Sequence, residues 1–288
     1  MKNLFIIFIL VFTLSSNILI AKTLPYNKEE FCKRFDDIET MSDYSSESKN
    51  LMSFKNQGGL FNGGVCWWHT RFQRNILYLS IFMPKLPKLS ANEVKPLIRE
   101  IRLGKSIVKI PGFFNFTEFS AFYKNEILKE LENWQLYDGV ILGAWVDGLR
   151  GETKIPALEL QNKMDELYQY VELDKKLAYL KLQIKGITSH SWLVVRSKKS
   201  STGYNLGIID SNNPNMSQNY SFKIGDESFY EKGYGHFVPY LEFKREEERI
   251  SSVGKAFCNL SSNHFSLDND NENYQADLNE ILSNENEI

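Results

Sequence analysis

Apolar positions change period halfway along the chain. Beginning at Trp67, the residues Trp68, Phe72, Ile76, Leu79 and Phe82 recur at steps of three and four, which predicts an amphipathic helix ending before Pro84. A shorter helix is expected over Lys28–Phe35, and two longer ones over Phe116–Tyr137 and Pro156–Leu173, with the apolar run Asp138–Val146 between them. In the second half the helical period gives way to short β-branched and aromatic runs. These are Leu177–Ile184, Thr188–Arg196, Tyr204–Asp210 and His236–Phe243, separated by Gly, Ser and Asn turns such as Ser197–Ser201. Helices first and strands later predict an α+β fold with consecutive antiparallel strands rather than alternating βαβ units.

The two ends differ from this body. Lys2 precedes a nearly unbroken apolar stretch from Leu4 to Leu14, and small Ala21 follows Ile18-Leu19-Ile20, the layout of a secretory signal cleaved after Ala21. A retained anchor is the alternative, although the first apolar run is short of the roughly 20 residues a membrane span needs. From Asn259 onward there are seven acidic residues and no Lys or Arg, in a stretch rich in Asn and Ser, so 259–288 is expected to be a disordered acidic tail. The expected organisation is therefore a signal peptide at 1–21, an N-terminal segment at 22–50, a main domain at 51–258 and the tail at 259–288. Whether the 22–50 segment is a propeptide or part of the fold stays open.

With 42% hydrophobic and 24% charged residues in 288, the composition supports a sizeable core. The formal charge of −2 points to neither nucleic acid nor a strongly acidic partner. Three cysteines in an exported chain leave one over. Cys32 and Cys258 lie near the two ends of the body, where a bridge between them ties the ends together and leaves Cys66 free; two isolated thiols are the other possibility.

Cys66 is also where the chemistry concentrates. It stands between a loop carrying four glycines after Gln57 and the start of the Trp67 helix. A thiol is activated at a helix N-terminus, and glycines allow close backbone approach to a substrate. The amides that follow, with the Gln57 side chain, are candidate donors to an oxyanion. His190, held on a predicted strand, is the candidate base, and Asp210, ending the next strand, is the candidate residue to orient it. Asn212 is a rival orienter, and His69 on the Cys66 helix an alternative base. The histidines and cysteines show no close-set ligand pairs of the zinc type, and no phosphate or dinucleotide glycine motif occurs, so no metal or cofactor is expected.

Phe54-Lys-Asn-Gln-Gly followed by Cys66-Trp67 resembles the nucleophile loop of papain-like cysteine proteases, with His190 downstream near the papain-type separation of roughly 130–150 residues. The resemblance covers about residues 54–80 and 188–214. It implies a papain-like fold in which a helical half carries Cys66 and a sheet half carries His190 and Asp210. It also implies Gln57 as oxyanion donor, Cys66 as nucleophile, His190 as base and Asp210 at the orienting position, where papain itself has Asn. Three features depart from papain. The Gln57-to-Cys66 interval is longer, Gly63-Gly64-Val65 lacks the family's second cysteine, and Asp210-Ser211-Asn212 replaces Asn-Ser-Trp. The last two look closer to bacterial virulence-effector proteases, and Cys-Trp, His-x-Trp and a strand-ending Asp also resemble transglutaminase-like proteins. The implied protein is a secreted or periplasmic cysteine hydrolase with a protein or peptide substrate, no nucleic-acid partner and no membrane span after signal removal. The alternatives are a transglutaminase-like acyl transferase and a non-catalytic binding module on the same scaffold.

Overall fold

The computed structural model describes residues 23–36, 41–59, 64–141, 152–185, 189–233, 235–241 and 243–259. The expected signal peptide and the tail from 260 lie outside the described residues, as do Thr188 and the end of the apolar run, 142–146.

The fold is α+β. In chain order its helices and strands are α1 (Lys28–Asp36), α2 (Met41–Tyr44), α3 (Cys66–Leu79), β1 (Ser80–Met83), α4 (Val94–Leu103), β2 (Val108–Pro111), α5 (Phe116–Phe122), α6 (Lys124–Trp134), α7 (Ala157–Tyr168), β3 (Ala178–Ile184), β4 (Ser189–Lys199), β5 (Gly203–Asp210), β6 (Gln218–Lys223), β7 (Phe229–Glu231), β8 (Gly235–Leu241) and α8 (Phe243–Asn259).

Several expected boundaries move. The helix that begins at Cys66 stops at Leu79, and its last apolar residues form β1, which pairs in parallel with β2. The expected helix over 116–137 divides at Tyr123 into α5 and α6 and finishes in a π-helical turn, Gln135–Ile141. Likewise α7 runs into a π-helical turn at Gln169–Leu173. The last expected strand ends at Leu241, and Phe243 opens α8 instead.

In the six-stranded sheet the order is β6-β5-β4-β3-β8-β7, all antiparallel, so the last long strand returns to pair with β3 rather than extending the run beyond β5. The outer strands β6 and β7 approach each other. The Tyr220 hydroxyl accepts a hydrogen bond from the Tyr230 amide at 2.8 Å and donates to the Tyr230 carbonyl at 3.3 Å. A side chain thus occupies backbone groups of an edge strand, which otherwise invite pairing with another chain.

Two apolar clusters divide the interior. One gathers α3 to α6 against Tyr179, Leu193, Val195 and Ile209; the other lies on the opposite side of the sheet, where Leu180, Trp192, Val194 and Phe237 meet α7. Between the helical half and the sheet lies α3, and every residue of it except Arg71 is buried. Several of its polar side chains bond to distant segments. Gln73 accepts from the Met52 amide, Asn75 donates to the Ile101 carbonyl, and Arg74 pairs with Glu246 of α8. Opposed guanidinium charges from Arg74 and Arg71 outweigh the burial of Glu246 and hold its carboxyl down to about 2.

The described part of the 22–50 segment packs into this core. Leu24, Phe31 and Met41 are buried, and Arg34 donates to the Leu77 and Tyr78 carbonyls at the end of α3, where a cation meets the negative end of the helix. Cys32 and Cys258 form a disulfide that fastens α1 to α8. Among the described residues no helix is long and apolar enough to cross a membrane.

Candidate active site

Cys66 is the first residue of α3 and the free cysteine among the described residues, 7% exposed. Val65, at the cap position, has no side chain to bond the first-turn amides. That leaves the positive end of the helix without the Ser, Thr, Asp or Asn that usually closes it. The first turn is fastened to β4 instead. Trp67 Nε1 donates to the His190 carbonyl at 3.0 Å, Ser191 Oγ donates to the Cys66 carbonyl at 2.8 Å, and Thr70 Oγ1 lies 2.8 Å from Ser191 Oγ.

Because side chains alternate along a strand, His190 and Trp192 share one side of β4 while Ser191 takes the other, toward α3. Asp210 is directly opposite Trp192 in the β4–β5 ladder, which places it diagonally across from His190. The Asp210 carboxylate is held by three donors. His190 Nε2 lies 2.7 Å from Oδ1, the Asn212 amide reaches the same oxygen at 2.8 Å, and Trp192 Nε1 reaches Oδ2 at 3.1 Å. With Nε2 given to Asp210, Nδ1 is the ring nitrogen left for the hydrogen bond that His190 makes to Cys66.

His190 is 4% exposed, and its burial, the largest single influence, works to lower the imidazole pKa. The hydrogen bonds to Asp210 and Cys66, with the negative charge of the Asp210 carboxylate, outweigh it and raise the pKa to about 9. The ring therefore carries its proton at neutral pH. The structure brings Cys66, His190 and Asp210 into one hydrogen-bonded line, with the imidazolium in the middle.

Two other candidates fall into supporting places. Asn212 gives its backbone amide to Asp210 while His190 Nε2 is taken by Asp210, so the orienting contact runs through the carboxylate. His69 is 1% exposed, and its Nε2 lies 2.9 Å from the Phe54 carbonyl, so that nitrogen is the donor. Desolvation drives the His69 pKa down to about 4, leaving a neutral ring that fastens the Phe54 loop to α3.

Gln57 precedes Cys66 by nine residues, but the described residues at the two ends of that interval meet. The Gly64 amide donates to the Gly58 carbonyl at 2.9 Å, and the Val65 amide donates to Asn56 Oδ1 at 2.5 Å. Both neighbours of Gln57 are thus bonded to the two residues that precede Cys66. The Gln57 side chain is half-buried, and no hydrogen bond among the described residues claims its amide. Gly64 has φ +86° and sits so close to the Asn56 amide that a methyl group there would collide with it. Gln135, in the π-helical turn, donates to the Gly64 carbonyl at 2.8 Å, and Glu132 accepts from the Gly59 amide at 3.0 Å.

Sequence reasoning singled out none of Asn56, Ser191, Glu132 and Gln135. The one signal for Asn56 was its place beside Gln57, and the other three sit in patterns indistinguishable from an ordinary strand or helix. Among the described residues no group of three His, Cys, Asp or Glu is arranged to hold a metal ion. No protein-family model matches the chain, nor does any curated protein or solved structure.

Proposed function

We propose that the protein is an exported cysteine hydrolase of papain-like architecture that cleaves peptide or amide bonds through a thioester. The observation that carries this reading is the His190 ring, held by Asp210 at 2.7 Å through one nitrogen and hydrogen-bonded to Cys66 at the start of α3. The disulfide and the signal-like N-terminus support export, since disulfides persist in oxidising compartments.

In the proposed reaction Cys66 Sγ attacks the substrate carbonyl carbon, and the negative charge moves onto the carbonyl oxygen. That oxygen faces the uncapped amides of α3 and the Gln57 side chain. His190 passes its proton to the leaving amine as the C–N bond breaks, and an acyl thioester remains on Cys66. Water then attacks the thioester, His190 takes a proton from it, and the acid leaves as the thiol is restored. Asp210 keeps the ring in one orientation throughout and stabilises its positive charge.

The decisive measurement is the rate of Cys66 alkylation by iodoacetamide against pH, read by peptide mass mapping. An activated thiol labels quickly well below the ordinary thiol pKa of about 8.5, and that advantage disappears in His190→Ala. Labelling that rises only near that pKa and ignores His190 would overturn the reading in favour of a binding module. The aspartate at the orienting position and the His190-x-Trp192 order favour one second reading, acyl transfer to an amine. Incorporation of a fluorescent amine into a glutamine-bearing protein separates transfer from hydrolysis.

A further inference from the structure

We propose that Asn56 is a positioning residue that sets the spacing between Cys66 and Asp210; this rests on the cysteine-hydrolase reading above. Cys66 and Asp210 arrive from opposite halves of the fold, and His190 can bridge them only while their separation holds. Asn56 touches both carriers at once. Its Oδ1 accepts from the Val65 amide at 2.5 Å, one residue before the nucleophile. Its backbone amide donates to the Ser211 carbonyl at 2.6 Å, one residue after Asp210, and its Nδ2 donates to Asn212 Oδ1 at 3.3 Å.

The local sequence is built around this contact. Val65 has no side chain to cap α3, so Asn56 binds from outside the helix at the point where a cap is missing. Gly64 accommodates the Asn56 amide only because it lacks a Cβ, and its left-handed φ favours glycine independently. Asn56 also immediately precedes Gln57, so the same three bonds fix the backbone from which the candidate oxyanion donor extends.

The test is the pH profile of Cys66 alkylation by iodoacetamide, with thermal melts run in parallel to report folding. Asn56→Ala removes both side-chain bonds and is expected to slow labelling at neutral pH by roughly 10- to 100-fold, with the profile displaced toward alkaline pH. Gly64→Ala is expected to do the same from the other side of the contact. Asn56→Asp keeps the acceptor for Val65, and a turned Asn212 amide supplies the other bond, so its profile is expected to return close to that of the unmodified protein. Asn212→Ala, which removes the 3.3 Å bond to Asn56 and keeps the Asn56–Val65 contact, is expected to slow labelling a few-fold and keeps the test available if Asn56→Ala does not fold. Lower melting temperatures with unchanged labelling profiles in Asn56→Ala and Asn212→Ala would overturn the proposal and leave the hydrolase reading standing. Identical profiles for the unmodified protein and His190→Ala would instead remove that reading and this proposal with it.

Discussion

Two histidines lie close to Cys66, both almost without exposure, and their surroundings send them in opposite directions. His69 lies on α3 beside the Phe54 loop, and its hydrogen-bond partner among the described residues is a neutral carbonyl. Desolvation prevails, and the ring stays uncharged down to about pH 4. His190, on β4, meets a carboxylate on one side and a thiol on the other, and the ring keeps its proton up to about pH 9. Burial is nearly equal at the two sites, so burial does not decide which ring is protonated at neutral pH. The charge of the hydrogen-bond partner does.

That contrast can be broken most severely at His190 itself. If the proposed chemistry holds, His190→Ala lowers turnover of a responsive peptide substrate by about 10⁴-fold or more, measured as kcat/KM, because members of a catalytic unit fail together. Asp210→Asn retains the shape of the orienting group and removes its charge. Turnover is expected to fall by roughly 10²-fold, and titration of the His190 ring by NMR is expected to move below about 9. His69→Leu is the converse experiment. It leaves the Phe54 carbonyl unpaired in the interior and is expected to lower unfolding stability in denaturant by about 1–3 kcal/mol, with an unchanged Cys66 labelling profile.

Thermal melts against pH sharpen the comparison further, because the two histidines pull stability in opposite senses. His190 has a folded pKa above its unfolded value of about 6.5, so its contribution is complete below that pH and is lost as pH rises toward about 9. His69 has a folded pKa below that value, so its contribution is complete above about 6.5 and is lost as pH falls toward about 4. The expected melting curve therefore falls on both sides, with the alkaline flank flattened in His190→Ala and the acid flank flattened in His69→Leu. The smallest effect is expected for Trp192→Phe, which removes one donor from Asp210 and is expected to cost about 1 kcal/mol in denaturant unfolding.

Much of the frame was readable from residue patterns. The strands β3, β4 and β5 follow the β-branched runs closely, and Cys66 lies at a helix start, as its glycine-rich approach suggests. Burial of α3 was not readable. His69, Thr70, Gln73, Arg74 and Asn75 look like a solvated face, yet each is enclosed and hydrogen-bonded by a distant segment. Periodicity reports which side chains are polar and carries no information about partners that arrive later in the chain. The same limit hid β1, since Ser80-Ile-Phe-Met83 continues an apolar helix without a breaker, and its strand identity comes from β2 nearly thirty residues away. At the candidate site, Cys66, His190 and Asp210 could be singled out as candidates because their chemistry is distinctive, and the structure brings them together. Asn56 and Ser191 make hydrogen bonds that any Asn or Ser can make, so only their placement sets them apart.

The disulfide has a further consequence for how breakage of the chain would look. Cys32 and Cys258 enclose nearly all the described residues in one covalent ring. A single cut anywhere inside that ring leaves two pieces still joined, so a nicked molecule runs as one species on a denaturing gel until reductant is added. Intactness of this protein is therefore a question to put to reduced samples, and a preparation that looks whole without reductant can contain chains already opened in any of its loops.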